Sequence, residues 1–154
     1  MTIAPAEILE RVAAFPIRTF APGTPVLAAG SSTNRLLFLK EGLVEILIEE
    51  MPVAQVGQPG AIFGELAFLL GRPHTADVVA VQPARLFVVD DPAAFLEAEP
   101  RAGLYLASVL AERLNAVNHL LAEARQRSTE ADVGLPSEAL RRVTQALQIG
   151  APGL

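Results

Sequence analysis

Apolar residues at Ile8, Leu9, Val12 and Phe15 recur at steps of three and four, with glutamates early in the run. This period predicts a short amphipathic helix from Pro5 to Phe15, ended by Pro16. From Ile17 to Val89 the texture changes. Short apolar runs are broken by Gly and Pro about every 8–12 residues, the pattern of a small antiparallel barrel or sandwich. The predicted strands are Ile17–Phe20, Pro25–Ala28, Arg35–Lys40, Leu43–Ile48, Val53–Val56, Ala76–Val81 and Ala84–Asp90. Gly23, Gly30 and Gly42 fall at turn positions, and Lys40-Glu41-Gly42 reads as a hairpin turn between two strands. After Asp90 the helical period returns. Asp91-Pro92 supplies an N-cap and a first-turn proline, with Phe95 and Leu96 expected to face the strands. Pro100 resets the chain, and Arg101–Arg127 reads as one long helix with its stripe at Leu106, Val109, Leu110, Leu114, Val117 and Leu121. Residues 128–154 read as a tail with one weak helix, Ser137–Leu147.

The fold class that follows is α+β, mainly β: a small antiparallel barrel or sandwich over residues 17–90. It carries a short N-terminal helix, a short internal helix and a long C-terminal helix, with the helices after the roll spanning 91–127. Bulk composition supports one such domain in 1–127. Half of the 154 residues are hydrophobic (51%) and 19% are charged, enough for a buried core. The net charge of −5 argues against broad binding to nucleic acid or to an anionic membrane, both of which need a cationic surface. The absence of cysteine excludes disulfides, thiolate catalysis and cysteine-held zinc or iron–sulfur sites. The N-terminus lacks the basic n-region of a signal peptide, and no apolar run is long enough to span a bilayer. A soluble cytoplasmic protein is the plain reading.

One segment departs from the strand texture. Phe63-Gly64-Glu65-Leu66-Ala67-Phe68-Leu69-Leu70 has the composition of one or two helical turns, entered through Gly60 and Gly64. Such a turn presents unsatisfied N–H groups at its start, which suit an anion. Gly64 lets backbone approach a ligand closely, and Glu65 suits a sugar hydroxyl rather than a phosphate.

With Pro22-Gly23, Gly30, Phe38-Leu39-Lys40-Glu41-Gly42, Gly60 to Ala67, Ala76-Asp77-Val78-Val79-Ala80 and Leu110-Ala111-Glu112-Arg113-Leu114, the chain resembles the cyclic nucleotide-binding domain family over roughly residues 15–125. The resemblance implies that residues 17–90 form an antiparallel β-roll (a jelly roll or double-stranded β-helix), and it implies a candidate ligand, cyclic AMP or cyclic GMP, and no resident cofactor. It implies a ligand-binding set of Phe63, Gly64, Glu65, Leu66, Ala67, Arg72, His74, Thr75 and Ala76. In that family the glutamate of Gly-Glu-Leu binds the ribose 2′-hydroxyl, and backbone amides plus one arginine hold the cyclic phosphate. Here the arginine position holds His74. An arginine carries a permanent charge and a planar fork for two phosphate oxygens, whereas a histidine offers one aimed donor and is mostly neutral near pH 7. Loss of a charge-assisted bond worth about 1.5–3 kcal/mol weakens binding about tenfold to a hundredfold or more. Arg72, two residues earlier, is a second candidate cation. Thr75 would favour guanine by meeting its exocyclic amine, and Asp77 would either repel a phosphate from inside or sit solvated outside.

In the family the last helix closes over the base and often mediates dimerisation. The stripe on Arg101–Arg127 suits either task, while Asn115, Asn118 and His119 read as a polar face that meets either solvent or a base edge. Transcription factors of the family continue into a helix-turn-helix. The stretch after Arg127, with the lone Arg141-Arg142 pair, is too short and too weakly basic for one, so no DNA contact is expected. Nor is catalysis expected. Only His74 and His119 are available for a cupin-type metal site, and no serine sits in a nucleophile-elbow context. The acidic pairs Glu49-Glu50 and Asp90-Asp91 read as solvated strand ends. Two functions remain open: a regulatory sensor that signals through its C-terminal helix to a separate effector or as a homodimer, or a degenerate domain that binds no nucleotide and serves as an interaction or dimerisation module.

Overall fold

Leu36, Leu37, Phe38 and Leu39 are four successive buried residues on one strand. Side chains alternate across a strand, so a run of this kind must be covered on both faces. The computed structural model, which describes residues 3–131, meets that requirement with two antiparallel sheets and a helical layer. Helix α1 (Pro5–Val12) comes first, then strands β1 (Ile17–Phe20), β2 (Pro25–Leu27), β3 (Leu36–Glu41), β4 (Val44–Ile48), β5 (Met51–Val56) and β6 (Ile62–Phe63). Helix α2 (Glu65–Leu70), strands β7 (Asp77–Ala80) and β8 (Ala84–Val89), and helices α3 (Pro92–Ala98) and α4 (Pro100–Ala131) complete the order. One sheet has the order β1-β8-β3-β6 and the other β2-β7-β4-β5. Leu37, Leu39, Phe63, Leu86 and Val88 meet Leu27, Val44, Val78 and Ala80 in the core between them.

The outer face of β3 packs on helices. Phe38 meets the Phe95 ring edge-on at 6.0 Å, and Phe95 meets Phe15 likewise at 5.3 Å. Asp91 caps α3 as its sequence suggests, its side chain accepting from Ala94 N at 3.1 Å. Helix α1 is tied to the α3–α4 junction by ion pairs: Arg101 and Arg11 both donate to Glu7, and Arg11 also donates to Glu99. The Arg101 bond is the main reason that the Glu7 carboxyl is held below its ordinary range.

Two local expectations need correction. Lys40-Glu41-Gly42 is not a hairpin turn, because β3 and β4 lie in different sheets. Both edges of β3 are taken by β8 and β6, and both edges of β4 by β7 and β5, so the two strands have no free edge for each other. Gly42, at φ 110°, carries the chain between sheets, so close to the β7–β8 turn that a Cβ would lie 2.6 Å from Ala84 Cα. The hairpin joins β4 and β5 instead, and Glu49 and Glu50, at φ 51° and 65°, form its turn in left-handed conformations that glutamate adopts at a cost. Strand β6 is an element that the periodicity did not suggest.

Helix α4 runs past Arg127 to Ala131, and the helix expected at Ser137–Leu147 lies outside the described residues. One compact unit reaches to Val109, and a second begins at Leu110. In the first, Ala102, Tyr105 and Leu106 are buried; in the second, Leu114, Val117 and Leu120 are exposed. Among the described residues, no helix is long and apolar enough to cross a membrane.

Phe95 is the bridge from the helical layer to the sheet. Truncation to Phe95→Ala is expected to cost about 3–5 kcal/mol in denaturant unfolding, the range for a buried aromatic left as a cavity.

Candidate functional site

Strand β6 is only two residues long, but its register decides where the site begins. Leu37 pairs with Phe63 and Phe38 with Ile62, which places Gly64 at the edge of the first sheet. Gly64 has φ 87°, and a Cβ there would lie 2.5 Å from the carbonyl oxygen of Arg35. No side chain fits that approach, so the glycine is required twice over, by its conformation and by its neighbour. Its carbonyl accepts from Phe68 N at 3.1 Å and starts α2. Gly71, at φ 60°, ends the helix, and the next amide, Arg72 N, bonds back to Ala67 O at 3.1 Å.

On this turn Glu65 is buried at 5% exposure, while Leu66, Leu69 and Leu70 are about half exposed. Phe63 is buried in the core between the sheets, and Ala67 is half-buried. After α2 the chain returns past the loop between β2 and β3. His74 N donates to Ser31 O at 2.9 Å, and Gly30 N donates to His74 O at 2.8 Å. The His74 ring turns inward, with 7% exposure. Its Nε2 lies 2.9 Å from Thr33 Oγ1, and its Cε1 lies 3.6 Å from the Cβ position that Gly64 leaves empty. Burial pushes the imidazole below its usual pKa, and the negative charge of Glu65 opposes that shift in part.

The fold therefore brings Gly64, Glu65 and His74 together. Arg72 and Thr75 are exposed, and Ala76 is half-buried. Asp77 is half-buried on β7, and its Oδ1 accepts from Ala29 N at 2.7 Å, pinning the loop after β2 to the strand. Thr33, Ser31 and the Arg35 carbonyl were not singled out by sequence reasoning. The one signal for the first two was the polar run Ser31-Ser32-Thr33-Asn34 behind Gly30, which says loop and does not say what the loop touches. Among the described residues, no cluster of three or more His, Cys, Asp or Glu side chains could hold a metal ion.

Residues 17–97 match the family described as the cyclic nucleotide-binding domain, which is more than half of the chain. The chain belongs to the cyclic nucleotide-binding domain family. Relatives of the domain occur within larger proteins. The chain is 35% identical over 119 residues to Glutaminase 2 of Bradyrhizobium diazoefficiens, covering 73% of this chain and 19% of that protein. It is 36% identical over 84 residues to a cyclic nucleotide-gated potassium channel of Mesorhizobium japonicum, covering 54% of this chain and 23% of the channel. The chain thus spans about a fifth of the length of these relatives. Among solved structures, the Thermus thermophilus catabolite activator protein superposes with a TM-score of 0.64 at 28% identity, covering 81% of this chain and 64% of that one. That likeness extends to the β-roll with its long C-terminal helix, so the fold class inferred from the sequence holds.

Within this family cassette, the lowered pKa of His74 makes stability pH-dependent with a definite sign. The unfolded chain takes up a proton at His74 at higher pH than the folded one. This contribution is full above the ordinary histidine pKa of about 6.5 and is lost as pH falls from there through the folded value. His74→Asn is expected to flatten that part of the curve, as read by melting temperature between about pH 7.5 and pH 5.

Proposed function

We propose that this domain is a non-catalytic sensor that binds a cyclic nucleotide, or a related phosphorylated small molecule, at Phe63–Ala67 and Arg72–Ala76. The observation that carries this reading is the cassette turn itself. Gly64 is pressed against the Arg35 carbonyl with bare backbone, Glu65 is buried beside it, and the His74 ring faces the same glycine. These are the positions at which the family holds ribose and phosphate. In this reading Glu65 accepts from a ribose hydroxyl, and the backbone of Gly64–Ala67 receives the phosphate oxygens. Occupancy reaches an effector, or a second copy of the chain, through α4. A ligand moves such a helix only by binding one of its positions better than the other.

A second reading has its own observation. His74 stands where the phosphate arginine would be, is buried, and is hydrogen-bonded to Thr33. A neutral ring held in this way supplies no charge to a phosphate, which favours a degenerate domain acting as an interaction or dimerisation module. Leu114, Val117 and Leu120 on α4 are the exposed apolar residues such a module would use.

Calorimetric titration of nucleotide-free protein with cyclic AMP and cyclic GMP separates the two. The sensor reading expects binding of at least one nucleotide. Glu65→Ala should weaken it about tenfold or more, and His74→Arg should strengthen it about tenfold to a hundredfold. Heat from His74→Arg alone would overturn the sensor reading and leave the module reading standing, and silence from all three proteins up to millimolar nucleotide would remove this pocket from consideration.

A further inference from the structure

A cyclic phosphate brings a negative charge to a place where Glu65 is already buried. The charged groups around His74 can be followed element by element. From α2, Glu65 is the charge that acts on the ring among the described residues. At the start of β3, Arg35 lends its backbone carbonyl to the Gly64 approach, while its guanidinium pairs with Asp90 at 2.6 Å. On β7, the Asp77 carboxylate is engaged by Ala29 N, and on the same loop as His74 the Arg72 side chain is exposed. The loop between β2 and β3 contributes the neutral Thr33 hydroxyl. Among these groups the imidazole is the buried one that can gain a positive charge as an anion enters.

The Thr33 contact permits the change. A hydroxyl both donates and accepts, and it rotates to suit its partner. It donates to Nε2 of a neutral ring and accepts from Nε2–H of a charged one, so protonation leaves the 2.9 Å hydrogen bond in place. In that neutral tautomer Nδ1 carries the ring proton, with no hydrogen-bond partner among the described residues; the charged ring adds its second N–H at Nε2, toward Thr33, and gives the Nδ1–H bond to an anion the strength of a charged donor. Charging the buried ring in the empty site is opposed by desolvation. A phosphate oxygen within hydrogen-bond reach supplies the counter-charge that offsets it.

Resting on the sensor reading above, we propose that the site binds its cyclic phosphate together with one proton, taken up by His74, so that acidification tightens binding. The permanent charge of the usual arginine is replaced by a conditional one. The proton comes from hydronium or the buffer acid, whose bond to it breaks as the N–H bond forms on the ring; no other covalent bond changes. Above the pH at which the free ring titrates, uptake of one proton per ligand weakens binding about tenfold for each unit of rising pH. The dependence levels off where the bound ring itself loses its proton. An arginine in the same place gives a flat response.

The test is calorimetry with cyclic GMP and cyclic AMP at about pH 6 and about pH 8, in pairs of buffers that differ in ionisation enthalpy. Wild type, His74→Arg and His74→Gln are compared, each first checked for folding by thermal melting. The expected result for wild type is uptake of about one proton per nucleotide, read from the difference in heat between buffers, and a markedly tighter Kd at the lower pH. His74→Arg is expected to bind at both pH values with no uptake, and His74→Gln to bind weakly with none. Wild-type binding without proton uptake, or uptake that persists in His74→Gln, overturns the inference and leaves the sensor reading standing. Binding by His74→Arg alone overturns it too, since the histidine then supplies no usable charge even in acid. Failure of all three proteins at both pH values overturns the sensor reading and this inference with it.

Discussion

Strand β3 is buried on both faces, and the rest of the fold is arranged to keep it so. Leu37 and Leu39 belong to the core between the sheets, while Leu36 and Phe38 lie under the helical layer, where Phe95 meets the Phe38 ring. Exposing either set would cost roughly 1.5–3 kcal/mol per large side chain, so neither cover can be removed without the other becoming insufficient. The strand's two edges are equally committed, to β8 and to β6. The pairing with β6 delivers Gly64 to the mouth of the site in a fixed register. The position of the turn is thus inherited from the core, and the turn does not have to hold itself in place.

Much of this was legible in the chain because a Gly or Pro lies within a few residues of most strand ends. Gly and Pro punctuation located seven of the strands to within a few residues, and Asp91-Pro92 announced α3 through side-chain chemistry confined to one turn. The failures share a cause. Lys40-Glu41-Gly42 has the local chemistry of a turn, but whether the flanking strands pair depends on edges occupied by residues far along the chain. Strand β6 is too short to show a period at all. At the site, the near neighbours Gly64, Glu65 and His74 could be picked out, because a compact motif carries them. Thr33 could not, since it reaches His74 across a separation of 41 residues and nothing in a serine-threonine run names its partner. The sequence identifies Asp77 as a charge but does not name Ala29 N as the donor that its carboxylate accepts from.

The exchange of a guanidinium for an imidazole alters more than strength. Arginine keeps its charge whether or not a ligand is present. With histidine the empty site is electrically quieter, and the ring can be buried at 7% exposure with a neutral hydroxyl as its partner. The protein avoids the desolvation of a fixed charge in the unliganded state and gives up the two-pronged grip that a planar fork provides. Sensor and scaffold readings differ in whether that surrendered grip is recovered when ligand arrives.

The approach of Gly64 to the Arg35 carbonyl has an evolutionary consequence. Both participants are main chain, so the shape of the turn does not depend on which side chains surround it, apart from the glycine itself. Neighbouring positions are then free to drift without dismantling the turn. A lineage can exchange its anchoring cation, or lose its ligand altogether, while the loop keeps the same course. Backbone-built recognition of this kind uncouples the inheritance of a pocket from the inheritance of what fills it.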